Sequence, residues 1–398
     1  MSPHIFLVAG EESGDRLGAA LIAAIKRCDT DTRFSGVGGT HMAARGLQSL
    51  FALGDLAIMG FSAVPASLPK ILRRIRETAD AVIAARPNVL VIIDSPEFTH
   101  RVARRVRAIA PEIPIVDYVC PSVWAWRPGR ARAMRSYVDH VLALLPFEPA
   151  AMQKLGGPPC TFVGHPLSEQ VATLRPNAEE TRRRLGEPPI LLVMPGSRSG
   201  EIERMAGIFG KAAALVSDRI EGLQAVVPAV PRLADRVREA VKTWQIPTRV
   251  VTSPDEKDAV FRIARAALTK SGTSTLELAV AGVPMVAAYK ISLLEELVGH
   301  LMVKVPSIIL ANLVLGENVV PEVLQRACTP ENLAIALLPL MSDTPERRRQ
   351  VEAFARLDSI MEIGKAVPSD RAAAVVLDYA AVLNQQKRET VASAPATA

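Results

Sequence analysis

The residues best suited to chemistry stand in a few short stretches. In "VLVIIDSPEFTHRVARRVR", Asp94 follows a strongly apolar run and precedes Pro96. A carboxylate held at a strand end can take a proton from a substrate hydroxyl. The same placement suits an Asx turn or a helix N-cap, and the local sequence does not choose. In "LTKSGTSTLELAVAGVPMV" a strand ends at a turn containing Ser271, Gly272 and Thr273, with a helix expected from about Thr275. Small hydroxyl residues and a glycine there expose backbone N–H groups at the positive end of a helix dipole, which suits a diphosphate. Glu277, in the first turn, could accept from ribose hydroxyls or serve only as a capping glutamate. In "LLVMPGSRSGEIER" a buried strand ends at Gly196 and Ser197, and Arg198 would offer a forked, permanently charged donor across the same strand ends; the alternative is a solvated arginine after a turn.

The chain opens with "IFLVAGEESGDRLG", the layout of a nucleotide-binding strand–loop–helix. The turn carries Glu11, Glu12 and Asp15, beside Ser13 and Gly14. Three carboxylates are a poor cradle for a diphosphate, so this loop should face something else. "DYVCPSVWAWRPGRARAM" places Trp124 and Trp126 just before Arg127, Arg130 and Arg132; at least one tryptophan should anchor the loop in the core. "MGFSAVPASLPKILRRIRETADAVI" carries a helical stripe of Leu68, Ile71, Leu72 and Ile75 among Lys70, Arg73, Arg74 and Arg76. Such a helix can lie on an anionic membrane surface or be an ordinary surface helix.

Other patterns lead less far. Asp29-Thr30-Asp31 has D-x-D spacing, but the sequence puts no metal ligand beside it. "GVGGTHMAARG" lacks G-x-G-x-x-G spacing, and there is no Walker A sequence. His165 reads as a turn residue and His100 as an isolated histidine without a partner.

These residues need rigid elements to hold them. Apolar runs "IFLVAG", "RFSGVGG", "VLVIID", "PIVDYV", "VDHVLALLP" and "TFVGHP" alternate with helical stretches, and "ILLVMPGS", "LQAVVPA", "TRVVTSP", "AALTKSG" and "PMVAAY" form a second series. That rhythm predicts an α/β protein of two doubly wound, Rossmann-like parallel sheets. The domains are expected at 1–165 and 166–345, with helices of 346–385 packing back on the first and 386–398 a disordered tail. Ligands of such folds sit at the carboxyl ends of strands, and two domains would face a cleft.

The 398 residues, 49% hydrophobic and 22% charged, suffice for two domains. A net charge of +6 suits anionic or phosphorylated partners, while 4% aromatic content argues against a nucleic-acid stacking platform. Cys28, Cys120, Cys160 and Cys328 form no CxxC pair, so neither a zinc site nor a disulfide framework is suggested, and a reducing cytoplasm fits. No uncharged stretch reaches the roughly 18 residues of a membrane span. A soluble or surface-bound protein is expected.

Taken in order, "GEESGD", "GVGGTHM", "MGF", "IDSPEF", "PSVWAW", "FEP", "VGHPL", "MPGSR", "SGTSTLE", "PMVAAYK" and "ANLVLGENVVPEVLQ" closely resemble the lipid-A-disaccharide synthases over nearly the whole chain. The resemblance implies a GT-B glycosyltransferase fold and an inverting reaction without metal or other cofactor. The implied substrates are UDP-2,3-diacylglucosamine and 2,3-diacylglucosamine 1-phosphate, joined through the acceptor 6-hydroxyl in lipid A biosynthesis. By the same resemblance Asp94 is the essential aspartate. UDP falls to the second domain, at Gly196, Ser197, Arg198, Ser271, Gly272, Thr273, Thr275, Glu277 and Asn312. Glu11, Ser13, Gly14 and Asp15 fall to the acceptor side, contacting sugar hydroxyls or shaping the loop. Acyl chains imply an apolar patch rimmed with basic residues, best sought at Met59, Phe61, Val64, Leu68, Arg73 and Arg74, on the inner face of the inner membrane. A homodimer is allowed, and no nucleic acid is expected. Glu97, Thr99, Cys120, Lys270 and Ala311 depart from the family's usual residues. Other GT-B enzymes, such as a UDP-N-acetylglucosamine epimerase or the peptidoglycan glucosaminyltransferase, and a non-catalytic nucleotide-sugar binder are the rival readings.

Overall fold

The computed structural model describes residues 2–56, 64–290 and 306–392. The chain forms two compact units, Met1–Pro166 with Lys365–Ala398, and Leu167–Gly364.

The first unit holds a parallel sheet of β1 (His4–Ala9), β2 (Arg33–Val37), β3 (Val89–Ile93), β4 (Ile115–Tyr118), β5 (His140–Ala143) and β6 (Cys160–Phe162), in the order β2-β1-β3-β4-β5-β6. The central strands are apolar throughout because helices cover both faces. Side chains alternate between those faces. Phe6, Val8, Leu90 and Ile92 meet Ile75, Ala79, Val102 and Val106 from the helices Val64–Ala85 and Pro96–Ile109. Ile5, Leu7, Val91 and Ile93 meet Leu21 and Ile25 from Glu12–Cys28, and Ala373 and Val376 from Pro368–Ala392.

The second unit holds β7 (Ile190–Met194), β8 (Gln224–Pro228), β9 (Thr248–Val251), β10 (Ala266–Lys270), β11 (Met285–Tyr289) and β12 (Glu322–Leu324), in the order β12-β11-β10-β7-β8-β9, again parallel. Helices Ser199–Ser217 and Pro330–Leu337 cover one face with Ile202, Met205, Phe209, Leu333 and Leu337.

In each sheet the strand order reverses once, between β1 and β3 in the first unit and between β7 and β10 in the second. The loops after such neighbouring strands diverge to opposite faces and open a crevice at their carboxyl ends. Register sets Ala9 beside Ile93 and Ile93 beside Tyr118, so Gly10, Asp94 and Val119 emerge at one edge. Met194 pairs with Thr269, which brings Pro195 next to Lys270.

The expected return of 346–385 to the first domain is corrected in part. The helices Pro345–Ala355 and Leu357–Ile360 belong to the second unit, where Phe354 and Leu357 are buried. There the Gln350 side chain accepts from Met285 N at 2.8 Å and donates to Met285 O at 3.1 Å, at the start of β11. The helix Pro368–Ala392 also runs through 386–392, expected as tail, while 393–398 lie outside the described residues. Among the described residues, no helix is long and apolar enough to cross a membrane.

Candidate active site

The first crevice is built by close backbone approach. A Cβ on Gly10 would lie 2.4 Å from Ser95 Cβ, so only glycine lets the loops after β1 and β3 meet. Gly14 likewise admits the first turn of Glu12–Cys28 against Ile93 O, 3.1 Å from where its Cβ would stand. Across this junction Ser13 Oγ donates to Asp94 Oδ2 at 3.0 Å. Asp94 and Ser95 both have left-handed backbone, φ 54° and 48°, and Val119 beside them has φ 96°. Such conformations cost free energy and persist where surrounding bonds enforce them. Here Asp94 N donates to Tyr118 O at 3.1 Å, Ser95 N to Asp94 Oδ1 at 2.7 Å, and Thr99 Oγ1 to Asp94 O at 2.7 Å.

The three acids of the opening loop divide. Glu11 and Glu12 are exposed, and Glu12 pairs with Arg16 at 2.6 Å. Asp15 is buried, accepting from Gly39 N at 2.7 Å, His41 N at 2.9 Å and Met42 N at 3.0 Å. Its carboxylate therefore shapes the "GVGGTHM" turn and has little left for a sugar.

Asp94 lines a cavity of about 210 Å³ with His100, Asp117, Val119, Cys120, Trp126 and Arg130. His100, expected to be isolated, lies with Nε2 3.1 Å from Asp117 Oδ2 and Nδ1 3.0 Å from the Tyr137 hydroxyl. Sequence reasoning missed the pair because its members come from different elements, the helix after Asp94 and the middle of β4. Burial pushes the Asp117 carboxyl above the usual range against the opposing pull of His100. Nearby, Arg101, Arg127 and Arg130 converge on Glu97, with Arg130 Nη2 donating to Glu97 Oε1 at 2.6 Å. That bond, chiefly, holds Glu97 below its ordinary value. One carboxylate for three guanidiniums leaves this side positive. The tryptophan loop is anchored from within: Trp124 Nε1 donates to buried Glu148 at 3.2 Å and its ring packs edge-on to Phe147.

In the second unit, Gly196 has φ 137°, and a Cβ there would strike Glu201 Cβ at 2.5 Å. Glu201 Oε2 accepts from Ser197 N at 3.0 Å and Arg198 N at 3.3 Å, while Oε1 receives Lys270 Nζ at 2.9 Å. Burial raises the Glu201 carboxyl, but Lys270, the Ser197 amide and Arg198 together outweigh it and the net shift is down. Lys270 thus ties the turn after β7 to the turn after β10. The Arg198 side chain is 76% exposed, with Nη1 3.6 Å from Glu201 Oε1. The next helix is Ser274–Val280. Ser271 is spent on the fold, its amide donating to Ala288 O and its hydroxyl to Ile308 O. Among the described residues, the amides of Gly272 and Thr273 have no partner. Thr275 is buried and bonds Gly272 O at 2.8 Å, and Glu277 pairs with Lys257.

Asn312 is 2% exposed. Its Oδ1 accepts from Val319 N at 3.0 Å and Val320 N at 2.9 Å, and its Nδ2 donates to Val320 O at 3.0 Å. These bonds hold the 319–320 turn, so direct contact with UDP is not what this side chain offers here.

Met59 and Phe61 lie outside the described residues, and of Val64 only the backbone, at the start of Val64–Ala85, is described. Leu68 is 42% and Leu72 40% exposed, whereas Ile75 is buried. Arg74 is not free as expected: it pairs with Asp55 and Glu77 and stacks on Phe51, 4.3 Å from the ring centre. Arg73 and Arg76 are exposed.

The family model described as lipid-A-disaccharide synthetase matches residues 5–374. The lipid-A-disaccharide synthase of Nitrobacter hamburgensis is 59% identical over 378 residues, 95% of this chain and 96% of that one. That of Bradyrhizobium diazoefficiens is 57% identical over 94% of this chain and 95% of that one. Among solved structures, a UDP-GlcNAc 2-epimerase from Neisseria meningitidis bound to UDP-GlcNAc superposes with TM-score 0.61 at 12% identity, covering 94% of this chain and 100% of that chain. MurG of Acinetobacter baumannii superposes with TM-score 0.55 at 13% identity, covering 94% of this chain and 99% of that chain. The structural likeness gives the GT-B glycosyltransferase fold, and the sequence match over most of its length makes the chain a member of the lipid-A-disaccharide synthase family.

Proposed function

We propose that the protein transfers 2,3-diacylglucosamine from its UDP derivative to the 6-hydroxyl of 2,3-diacylglucosamine 1-phosphate, releasing UDP and the disaccharide 1-phosphate. The observation that carries the reading is Asp94, strained and held by Ser13 at the first unit's switch point, in a chain of this family. In the step, O6 bonds to the anomeric carbon as that carbon's bond to the β-phosphate oxygen breaks, with inversion. Asp94 takes the hydroxyl proton. The charge left on the diphosphate is met by Arg198 and by the amides of Gly272 and Thr273. Arg101, Arg127 and Arg130 supply positive charge suited to the acceptor's 1-phosphate. Acyl substrates put the enzyme at the cytoplasmic face of the inner membrane, with Leu68, Leu72, Arg73 and Arg76 as its contact.

The test is UDP release from donor plus acceptor, each with and without acyl chains. Release only when both are acylated supports the reading. Release without acyl chains points to another nucleotide-sugar enzyme, and binding of UDP without any release points to a binder.

A further inference from the structure

The cavity beside Asp94 contains a second carboxylate that the mechanism above does not use. Asp117 is 1% exposed, yet its Oδ2 makes no hydrogen bond of acceptable geometry among the described residues. A buried carboxylate whose near donor, His100 Nε2 at 3.1 Å, is poorly aligned is incompletely satisfied, and a partner that arrives with the ligand would complete it.

The surroundings of Asp117 are fixed in one direction. Arg104 Nη2 lies 3.2 Å from the Tyr137 hydroxyl and can only donate, so the phenol oxygen accepts there. The phenol's single proton is then free for His100 Nδ1, 3.0 Å away. With Nδ1 accepting, the ring N–H is the one at Nε2, which faces Asp117 Oδ2 at 3.1 Å. The imidazole thus braces the carboxylate from one side without satisfying it, and the other side opens on the cavity shared with Asp94 and Arg130.

This reasoning rests on the acceptor proposed above. On 2,3-diacylglucosamine 1-phosphate, positions 1, 2 and 3 of the sugar are substituted, so the ring offers only its 4- and 6-hydroxyls. Both project from one edge. With the 6-hydroxyl at Asp94, the 4-hydroxyl is the remaining ring hydroxyl for a second acceptor group in the same cavity. We propose that Asp117 accepts a hydrogen bond from the acceptor's 4-hydroxyl, with His100 as its positioning residue. The pair then selects the sugar edge presented to Asp94, and a sugar differing at position 4 leaves Asp117 unpaired.

The experiment compares kcat/KM for the acceptor and its 4-deoxy analogue. In wild type the analogue should lose about 10²-fold or more, the scale of leaving a buried charged acceptor unpaired. In Asp117→Asn the His100 N–H claims the amide oxygen and turns the NH2, a donor, to the cavity; the normal acceptor should suffer and the further loss for the analogue should shrink to about threefold, because the 4-hydroxyl has already lost its acceptor. His100→Phe should raise KM for the normal acceptor more than for the analogue, and His100→Gln, which keeps an N–H donor, should restore most of the difference. UDP affinity and melting temperature report that each variant is folded. A full wild-type penalty in Asp117→Asn, or a wild type that accepts the analogue within about threefold, overturns the proposal. Should Asp117→Asn not fold, equal KM changes for both acceptors in His100→Phe overturn it instead. Failure of the functional reading itself would look different: wild type would release no UDP with the normal acceptor.

Discussion

Ser13 Oγ donates to Asp94 Oδ2 at 3.0 Å, joining the loops that follow β1 and β3. Asp94 Oδ1 is taken by Ser95 N at 2.7 Å, so the carboxylate is fixed at both oxygens before substrate arrives. Asp94→Asn keeps this shape and removes the base. It should retain UDP affinity and lose about 10²–10⁴ in turnover. Ser13→Ala should cost about tenfold, the scale of one hydrogen bond to a charged group. Steady-state UDP release checks both, and near-normal turnover of Asp94→Asn would remove Asp94 from the role.

The second unit presents Arg198 outward while Glu201 holds the backbone beneath it. Arg198→Ala should weaken UDP binding by about 1.5–3 kcal/mol, measured by calorimetry, as for a charge-assisted hydrogen bond. In the proposed step the leaving charge is met by protein groups, so EDTA and added magnesium should leave the rate unchanged. Loss with EDTA and recovery with magnesium would overturn that step and return attention to Asp29 and Asp31.

The sequence made the parallel sheets legible because their strands are apolar runs bounded by turn residues, and it put Asp94 and Arg198 at strand ends. β12 escaped notice: Glu322–Leu324 is too short to show a period. Composition and spacing also say nothing of how a polar side chain is spent. Asp15, Thr275 and Asn312 are of types that bind sugars and nucleotides, yet each is buried and bonded to backbone. His100 was invisible for the opposite reason, since its partners Asp117 and Tyr137 reach it only through tertiary structure.

Glu148 anchors the tryptophan loop through Trp124 and through the amides of Leu144 and Leu145, at 3.1 and 2.9 Å. Burial, the largest influence, pushes its carboxyl from the ordinary 4.5 up to about 7. Between those values the folded protein binds a proton that the unfolded chain has lost. Stability from this group is therefore full below about pH 4.5, falls as pH rises to about 7, and is level above. The loss is on the order of 3 kcal/mol. Glu148→Gln should abolish it, so urea unfolding at pH 5 and pH 7.5 should show the wild type losing ground against the variant. A gap that does not change with pH would refute the assignment.

The helix Val64–Ala85 presents Leu68 and Leu72 to solvent, with Arg73 and Arg76 exposed on the same segment, while Ile75 packs on the sheet. Lys70 and Arg74 both pair with Asp55, which reduces what they can offer a head group. Reversible binding to anionic vesicles should therefore depend on Arg73 and Arg76, at about 1 kcal/mol each near the surface. It should fall as salt rises. Co-sedimentation at low and high salt should show the Arg73→Gln/Arg76→Gln variant bound about 30-fold more weakly than wild type at low salt, with the two converging at high salt. Leu68→Ser/Leu72→Ser should weaken binding at both, because burial of apolar surface is not screened. Equal binding by all three proteins would put the membrane contact elsewhere on the molecule, and no binding by wild type would mean that the enzyme takes its lipid substrates without resting on an anionic surface.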